Sequence, residues 1–187
     1  DNQIWKSQKK PWIPKKIQDY LWKITHNVLK VGNFFKNIPS LEHLQNCPHC
    51  KLLETPKRIL LKCKGNKAPF LWTKITKLLK RTDEETEWPI PTIKMIQSPN
   101  LIKLHCKKDD NLIKDKEKLY QILITEATWL LWKTRNTQIF ENTKKTTKKE
   151  IWNKWNSTIT KRIEREWQEI KQEPITKQKE KKRNFQN

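Results

Sequence analysis

Three cysteines set the tightest constraint on how this chain can fold. Cys47-Pro48-His49-Cys50 is a C-x-x-C turn, and Cys63 follows at the end of a short loop. That spacing offers three of the four ligands of a structural zinc site, and tetrahedral zinc needs the fourth. The natural slot for it, a little over one turn before Cys63, holds Arg58. An arginine side chain stays protonated and has no lone pair to give. Cys47, Cys50 and Cys63 are therefore the candidate metal ligands, with zinc the candidate ion. His43, His49, His26, Cys106 and water stay open as the fourth donor. His49 lies inside the turn, where a side chain usually points away from the metal. His43 lies four residues before Cys47 and can swing round. The plain alternative is that the thiols hold no metal at all.

Charge and composition narrow the rest. Of 187 residues, 41 are Lys or Arg and 20 are Asp or Glu, a formal net charge of +21. Charge of that size points to a polyanionic partner, RNA or DNA first and a membrane surface second. No apolar run is long enough to span a membrane. The apolar share is 34% and there are two glycines, so several helices around a thin core are expected rather than one large core. The opening Asp1-Asn2-Gln3-Ile4-Trp5 has no basic n-region and no apolar h-region, so it is not read as a signal peptide. The lack of an initiator Met fits a piece of a longer protein. Four cysteines without a secretion signal suggest a reducing intracellular compartment, nucleus or cytoplasm, and metal binding over disulfides. Lys, Asn and Ile are abundant while the only arginines are Arg58, Arg81, Arg135, Arg162, Arg165 and Arg183. AT-rich coding drift produces that bias, and part of the charge can come from it. Drift does not explain ten tryptophans, which point to packing or stacking.

Hydrophobic periodicity then divides the chain. Ile17, Tyr20, Leu21, Ile24, Val28 and Leu29 predict a helix over 14–30, opened by Pro14 and closed near Gly32. Pro69 opens a second helix carrying Leu71, Trp72, Ile75, Leu78 and Leu79. Residues 83–115 show no sustained period and read as a variable linker. Leu119, Ile122, Leu123, Ala127, Leu130 and Leu131 predict a third helix over about 116–140. Ile151, Trp155, Ile159, Ile163, Trp167 and Ile170 form a regular stripe on a fourth, which should pair with the third as an antiparallel hairpin. Pro174 stops it, and a basic tail expected to be disordered follows. The expected organisation is 1–82 helix, cysteine loop and helix; 83–115 linker; 116–172 hairpin; 173–187 tail.

Several motifs in order carry a resemblance. Asp19-Tyr20-Leu21-Trp22-Lys23-Ile24-Thr25-His26-Asn27 comes first, then Lys30-Val31-Gly32, Phe35 and Ile38-Pro39. Cys47-x-x-Cys50, Glu54-Thr55, Ile59-Leu60-x-x-Cys63 and Leu71-Trp72 follow. This run resembles the reverse transcriptase zinc-binding domain in the C-terminal region of fungal non-LTR (LINE-like) retrotransposon polyproteins. Glu126-Ala127-x-Trp129-Leu130-Leu131-Trp132-Lys133-x-Arg135-Asn136 is similar to a second motif of that region. In that family a Glu-Thr or Glu-Ser pair precedes a His and a last Cys, giving a Cys-Cys-His-Cys zinc site. The resemblance implies Cys47, Cys50 and Cys63 as ligands and places Arg58 at the His position. It also implies a reverse transcriptase region upstream in the same polyprotein. None of that enzyme's catalytic motifs is present in this chain.

Catalysis finds little support in the residues. Asp83, Glu84, Glu85 and Glu87, and Asp109, Asp110 and Asp115, lie in segments read as loops, whereas two-metal chemistry needs carboxylates converging from rigid elements. Two glycines leave no room for a Gly-rich phosphate loop. No enzyme activity and no small-molecule substrate are expected. Cations near aromatics are the remaining signal. Lys9, Lys10, Trp12, Lys15 and Lys16 precede or open the first helix, and Lys51, Lys57, Arg58, Lys62 and Lys64 surround the cysteine loop. Lysines neutralise phosphates and tryptophans can stack unpaired bases, although most of the tryptophans sit at helical core spacing. Arg135 is expected to pair with a nearby carboxylate.

The expectation is a mainly α-helical protein: a small helical domain with a short, zinc-knuckle-like cysteine loop, followed by an antiparallel helical hairpin. Its expected role is non-catalytic binding of RNA or target DNA beside the upstream reverse transcriptase. The alternatives are a protein-interaction or scaffold module, and a degenerate element copy without function.

Overall fold

A computed structural model describes residues 8–106, 113–141 and 145–172. The chain is mainly helical, as expected. The segment before the first helix is tied down by Gln8, whose side-chain amide donates to Thr25 Oγ1 and to the Gln97 carbonyl, both at 2.7 Å. Helix α1, Lys15–Thr25, begins after Pro14 and buries Ile17, Tyr20, Leu21 and Ile24. It is shorter than the periodicity predicts. Asn27 adopts a left-handed φ of 54°, a conformation asparagine tolerates better than most residues, and this ends the helix. Val28 is thereby turned into solvent, while Leu29 and Val31 re-enter the core beyond the turn.

Gly32 (φ 53°) has a structural reason to be glycine. A Cβ there would lie 2.1 Å from the carbonyl oxygen of Glu54, so the cysteine loop crosses directly over its backbone. Two 3-10 turns, Gly32–Phe35 and Glu42–Gln45, lead into that loop. Past it, a π-helical turn at Arg58–Lys62 closes with Cys63 N–H donating to the Arg58 carbonyl at 2.8 Å. Asn66 then bridges two elements. Its side-chain amide donates to Ile59 O at 2.6 Å, and its oxygen accepts from Ala68 N–H at 3.1 Å, at the start of the next helix. Helix α2, Ala68–Thr82, has Pro69 in its first turn and buries Ala68, Leu71, Trp72, Ile75 and Leu79. Leu78 is exposed.

The segment read as a linker is built into the core. Strand β1, Thr86–Glu87, pairs antiparallel with β2, His105–Cys106, in the register Thr86 to Cys106 and Glu87 to His105. Helix α3, Ile93–Gln97, lies between them, its first turn capped by Thr92 Oγ1 accepting from Met95 N–H. Trp88, Ile96, Ile102 and Leu104 are buried in the same cluster as the helices. Ile96 lies on the five-residue α3, whereas Trp88, Ile102 and Leu104 come from the connecting residues, which leaves no sustained period to detect. Asp83 pins the start of the segment. Its carboxylate pairs with Lys116 at 2.8 Å and accepts from Thr86 Oγ1 at 2.7 Å.

Helix α4, Ile113–Phe140, is the central element, and every residue from Tyr120 to Thr128 is buried. A helix buried on all sides needs neighbours all round. Helices α1 and α3 and the π turn supply them, together with α5, Lys148–Gln172. Helix α5 starts with a reciprocal capping box: Glu150 N–H donates to Thr147 Oγ1 at 3.1 Å and Thr147 N–H to Glu150 Oε2 at 2.8 Å. Helices α4 and α5 pack against each other as a hairpin. The regular stripe on α5 is only half used, however. Ile151 and Trp155 are fully buried and Ile159 partly, whereas Ile163 and Trp167 are 59% and 58% exposed. The side chain of Ile170 and the 173–187 tail lie outside the described residues.

Candidate functional site

The C-x-x-C turn is shaped by its backbone. Cys47 N–H donates to Leu52 O at 2.9 Å, Lys51 N–H donates to Cys47 O at 2.8 Å, and Lys51 takes a left-handed φ of 58°. An isolated bridge between Asn46 and Leu53 closes the base. The turn thus presents Cys47 and Cys50 to Cys63, which leaves the π turn from the other side. The three sulfurs lie within 4.8 Å of one another, with Cys47 and Cys63 3.6 Å apart. All three thiols are free, and they are close enough to hold one metal ion.

No fourth protein donor joins them among the described residues. His49 faces the other way: its Nε2 meets Gln138 Oε1 at 3.1 Å, and its ring lies against Gly65, where a Cβ would come within 2.5 Å of it. His43 lies exposed in the second 3-10 turn. His26 stacks on Trp22 with its Nδ1 3.0 Å from Trp22 O. Cys106 contributes its backbone to β2, and its side chain lies outside the description. Arg58 instead reaches the cluster. Its Nη2 donates to Cys50 Sγ at 3.3 Å, while its buried Nε has no acceptor. The contact with Cys50 and the nearby sulfurs favour the charged guanidinium. Within the cluster, Cys47 and Cys63 share an S–H···S contact at 3.6 Å. That bond lowers the Cys63 thiol to about 7 against the opposing effect of burial, and it pushes Cys47 up.

The cysteine loop is held against α4 by polar contacts that the spacing of the cysteines does not announce. Glu54 and Arg135, each 3% exposed, form a buried ion pair in which Arg135 Nε donates to Glu54 Oε2 at 3.0 Å and Nη2 also donates. The guanidinium also sits 5.5 Å from the Trp132 ring centre and 5.7 Å from that of Phe140. Gln138, which meets His49, donates to Thr146 Oγ1 at 3.0 Å before α5. The two halves of the chain are therefore joined at the cysteine loop. Arg135 finds its carboxylate 81 residues away.

The basic residues fall into two groups. Lys51, Lys57, Lys62 and Lys64 are exposed around the cysteine loop, and none makes an ion pair among the described residues. Near the start, Lys9, Lys15 and Lys16 are exposed and Lys10 is half-buried. Trp12 is a packing residue: its indole N–H donates to Gln121 Oε1 at 3.2 Å, and Lys10 and Lys118 each place Nζ 5.6 Å from its ring centre. Asp83, read as loop charge, is a structural staple held down to about 2, chiefly by the hydrogen bond from Lys116. Asp109 and Asp110 lie outside the described residues. No carboxylates gather into a metal-holding group among the described residues, and no described helix is long and apolar enough to cross a membrane.

A feature that sequence reasoning missed is a groove of about 1070 Å³ along α2, walled by the 90–94 segment and ending at the π turn. Its trace in the sequence is the outer face of α2, Pro69, Trp72, Thr73, Thr76, Lys77, Lys80 and Arg81, at steps of three and one. No family model, curated protein or solved structure matches this chain.

Proposed function

We propose that this chain is a non-catalytic nucleic-acid-binding region of a retroelement polyprotein, holding RNA or target DNA for a reverse transcriptase encoded upstream. The observation that carries the reading is the set of exposed lysines, Lys51, Lys57, Lys62 and Lys64, around the cysteine loop, none of which makes an ion pair among the described residues. Exposed lysines act on phosphates as point charges, so binding is steeply salt-dependent and weakly sequence-specific. Base reading by bidentate arginine has little part, because Arg135 and Arg162 are engaged within the fold. The place of action is intracellular, in nucleus or cytoplasm.

Zinc belongs to this reading only in a restricted form. Cys47, Cys50 and Cys63 supply three donors, and the guanidinium of Arg58 lies against the cluster where a fourth would help. The donor set therefore falls short of a closed structural zinc site. No part of the proposed binding depends on the ion.

The test is fluorescence anisotropy with a single-stranded RNA and a duplex DNA. Neutralising Lys51, Lys62 and Lys64 to Gln should flatten the salt dependence by about two to three phosphate contacts. An unchanged salt slope would move binding away from the cysteine loop.

A second reading, a protein-interaction module, is favoured by one observation: Ile163 and Trp167 stand exposed on α5 in line with a buried stripe. Light scattering across a concentration series tests it. A strict monomer unchanged by Trp167→Ser would count against self-association through that face.

A further inference from the structure

We propose that the groove along α2 is a docking site for an acidic amphipathic helix of a partner protein. One wall is a full-length face of α2. From Pro69 to Arg81 that face runs about 18 Å at 1.5 Å per residue, room for about three turns of a second helix. The facing wall is the 90–94 segment, with Ile90 and Ile93, and Leu61 of the π turn closes one end. The lining is chiefly apolar along its length. Ile90, 77% exposed, adds its side chain to this apolar surface.

Charge selects the occupant. Lys77, Lys80, Arg81 and Lys94 rise from the groove's two walls, and Lys57 and Lys62 stand at the end near the cysteine loop. None of the six makes an ion pair among the described residues. Glu84 is the only acidic residue in the lining among the described residues. An apolar floor between cationic edges complements a helix with aliphatic or aromatic residues at every third or fourth position and carboxylates on its flanks.

The same lining gives single-stranded nucleic acid little beyond the phosphate contacts of Lys57 and Lys62 at the groove's end. Stacking needs an open aromatic face. Trp72, the single ring in the lining among the described residues, is 5% exposed and its indole N–H donates to Leu60 O at 2.7 Å. Among the described residues no Asn or Gln lines the groove to read a base edge. A second copy of this chain is a poor occupant too. Each copy carries +21, and the exposed part of α5 sets Arg165 and Lys171 beside its own acids.

The experiment is isothermal titration of the full chain at physiological salt. The probe is a synthetic helix-forming peptide with leucines at every third or fourth position and glutamates elsewhere. A scrambled peptide of the same composition is the control. Saturable one-to-one binding is expected, with the scrambled peptide at least about tenfold weaker. Thr76→Trp fills the groove without changing charge, and it should cost at least about tenfold in peptide affinity while RNA affinity stays the same. If that variant melts early, Lys80→Glu with Lys94→Glu, both exposed, should give the same loss of peptide binding. Equal affinity for both peptides would reduce the groove to bulk electrostatics and overturn the proposal. So would peptide binding untouched by either variant, RNA displacing the peptide with Thr76→Trp weakening both, or a dimer that the peptide dissolves. RNA binding with no peptide binding overturns this inference and leaves the nucleic-acid reading standing.

Discussion

Arg58 donates from Nη2 to Cys50 Sγ at 3.3 Å, so a fixed cation lies beside the three thiols where a zinc module would place a ligand. The backbone shapes the loop, and this contact gives the third sulfur a partner without a fourth donor. The guanidinium engages Cys50, and Cys47 and Cys63 satisfy each other at 3.6 Å. Replacing Arg58 with His removes the cation and supplies a lone pair in one step. Native mass spectrometry under zinc titration should show Arg58→His holding one ion on the order of tenfold or more tighter than the parent chain. Equal affinity would mean that position 58 is not the ligand position.

The ion pair between Glu54 and Arg135 makes a different prediction, about stability. Both groups are buried, so removing one leaves an uncompensated charge in a low-dielectric interior. Arg135→Met should lower unfolding free energy by about 3–5 kcal/mol. Adding Glu54→Leu to that variant should restore most of it, since the stranded carboxylate is gone. Urea midpoints of the parent, the single and the double variant check this. A double variant no better than the single one would show that the side chains matter for shape and not for charge.

Asp83 gives the acid limb of the stability profile a specific origin. Its carboxyl is held down to about 2 by Lys116 and Thr86, below the ordinary carboxylate value of 3.8. A depressed folded-state value stabilises the protein above the unfolded-state value, and that contribution is lost as pH falls from about 4 to about 2. Asp83→Asn should lower the denaturation midpoint at neutral pH and flatten its fall across that window. Parallel curves for parent and variant would place the acid sensitivity elsewhere.

These contacts also mark how far the sequence can be read. The helices with a clear apolar period, α1, α2, α4 and α5, are legible because burial on one face imposes that period. The end of α1 is not, because it depends on Asn27 tolerating a left-handed turn. The start of α5 is written in Thr147 and Glu150, a capping box concealed by the surrounding lysines. The 83–115 segment hides its role because Trp88, Ile96 and the Ile102–Leu104 pair come from three separate short pieces. At the site, cysteine spacing anticipates the cluster in full. The tie between Glu54 and Arg135 joins residues 81 apart, and local pattern carries no information at that range. Trp12 shows the converse: its cationic, aromatic neighbourhood suggests base stacking, yet Gln121 and two lysines occupy it.

Nucleic-acid affinity tests the central claim most directly. Filter binding of the chain to single-stranded RNA and duplex DNA should show clear affinity at about 50 mM salt, falling linearly in log K against log salt to a much weaker value by about 200 mM. No detectable binding to either at about 50 mM would contradict the account and leave the lysines around the cysteine loop as solvated surface.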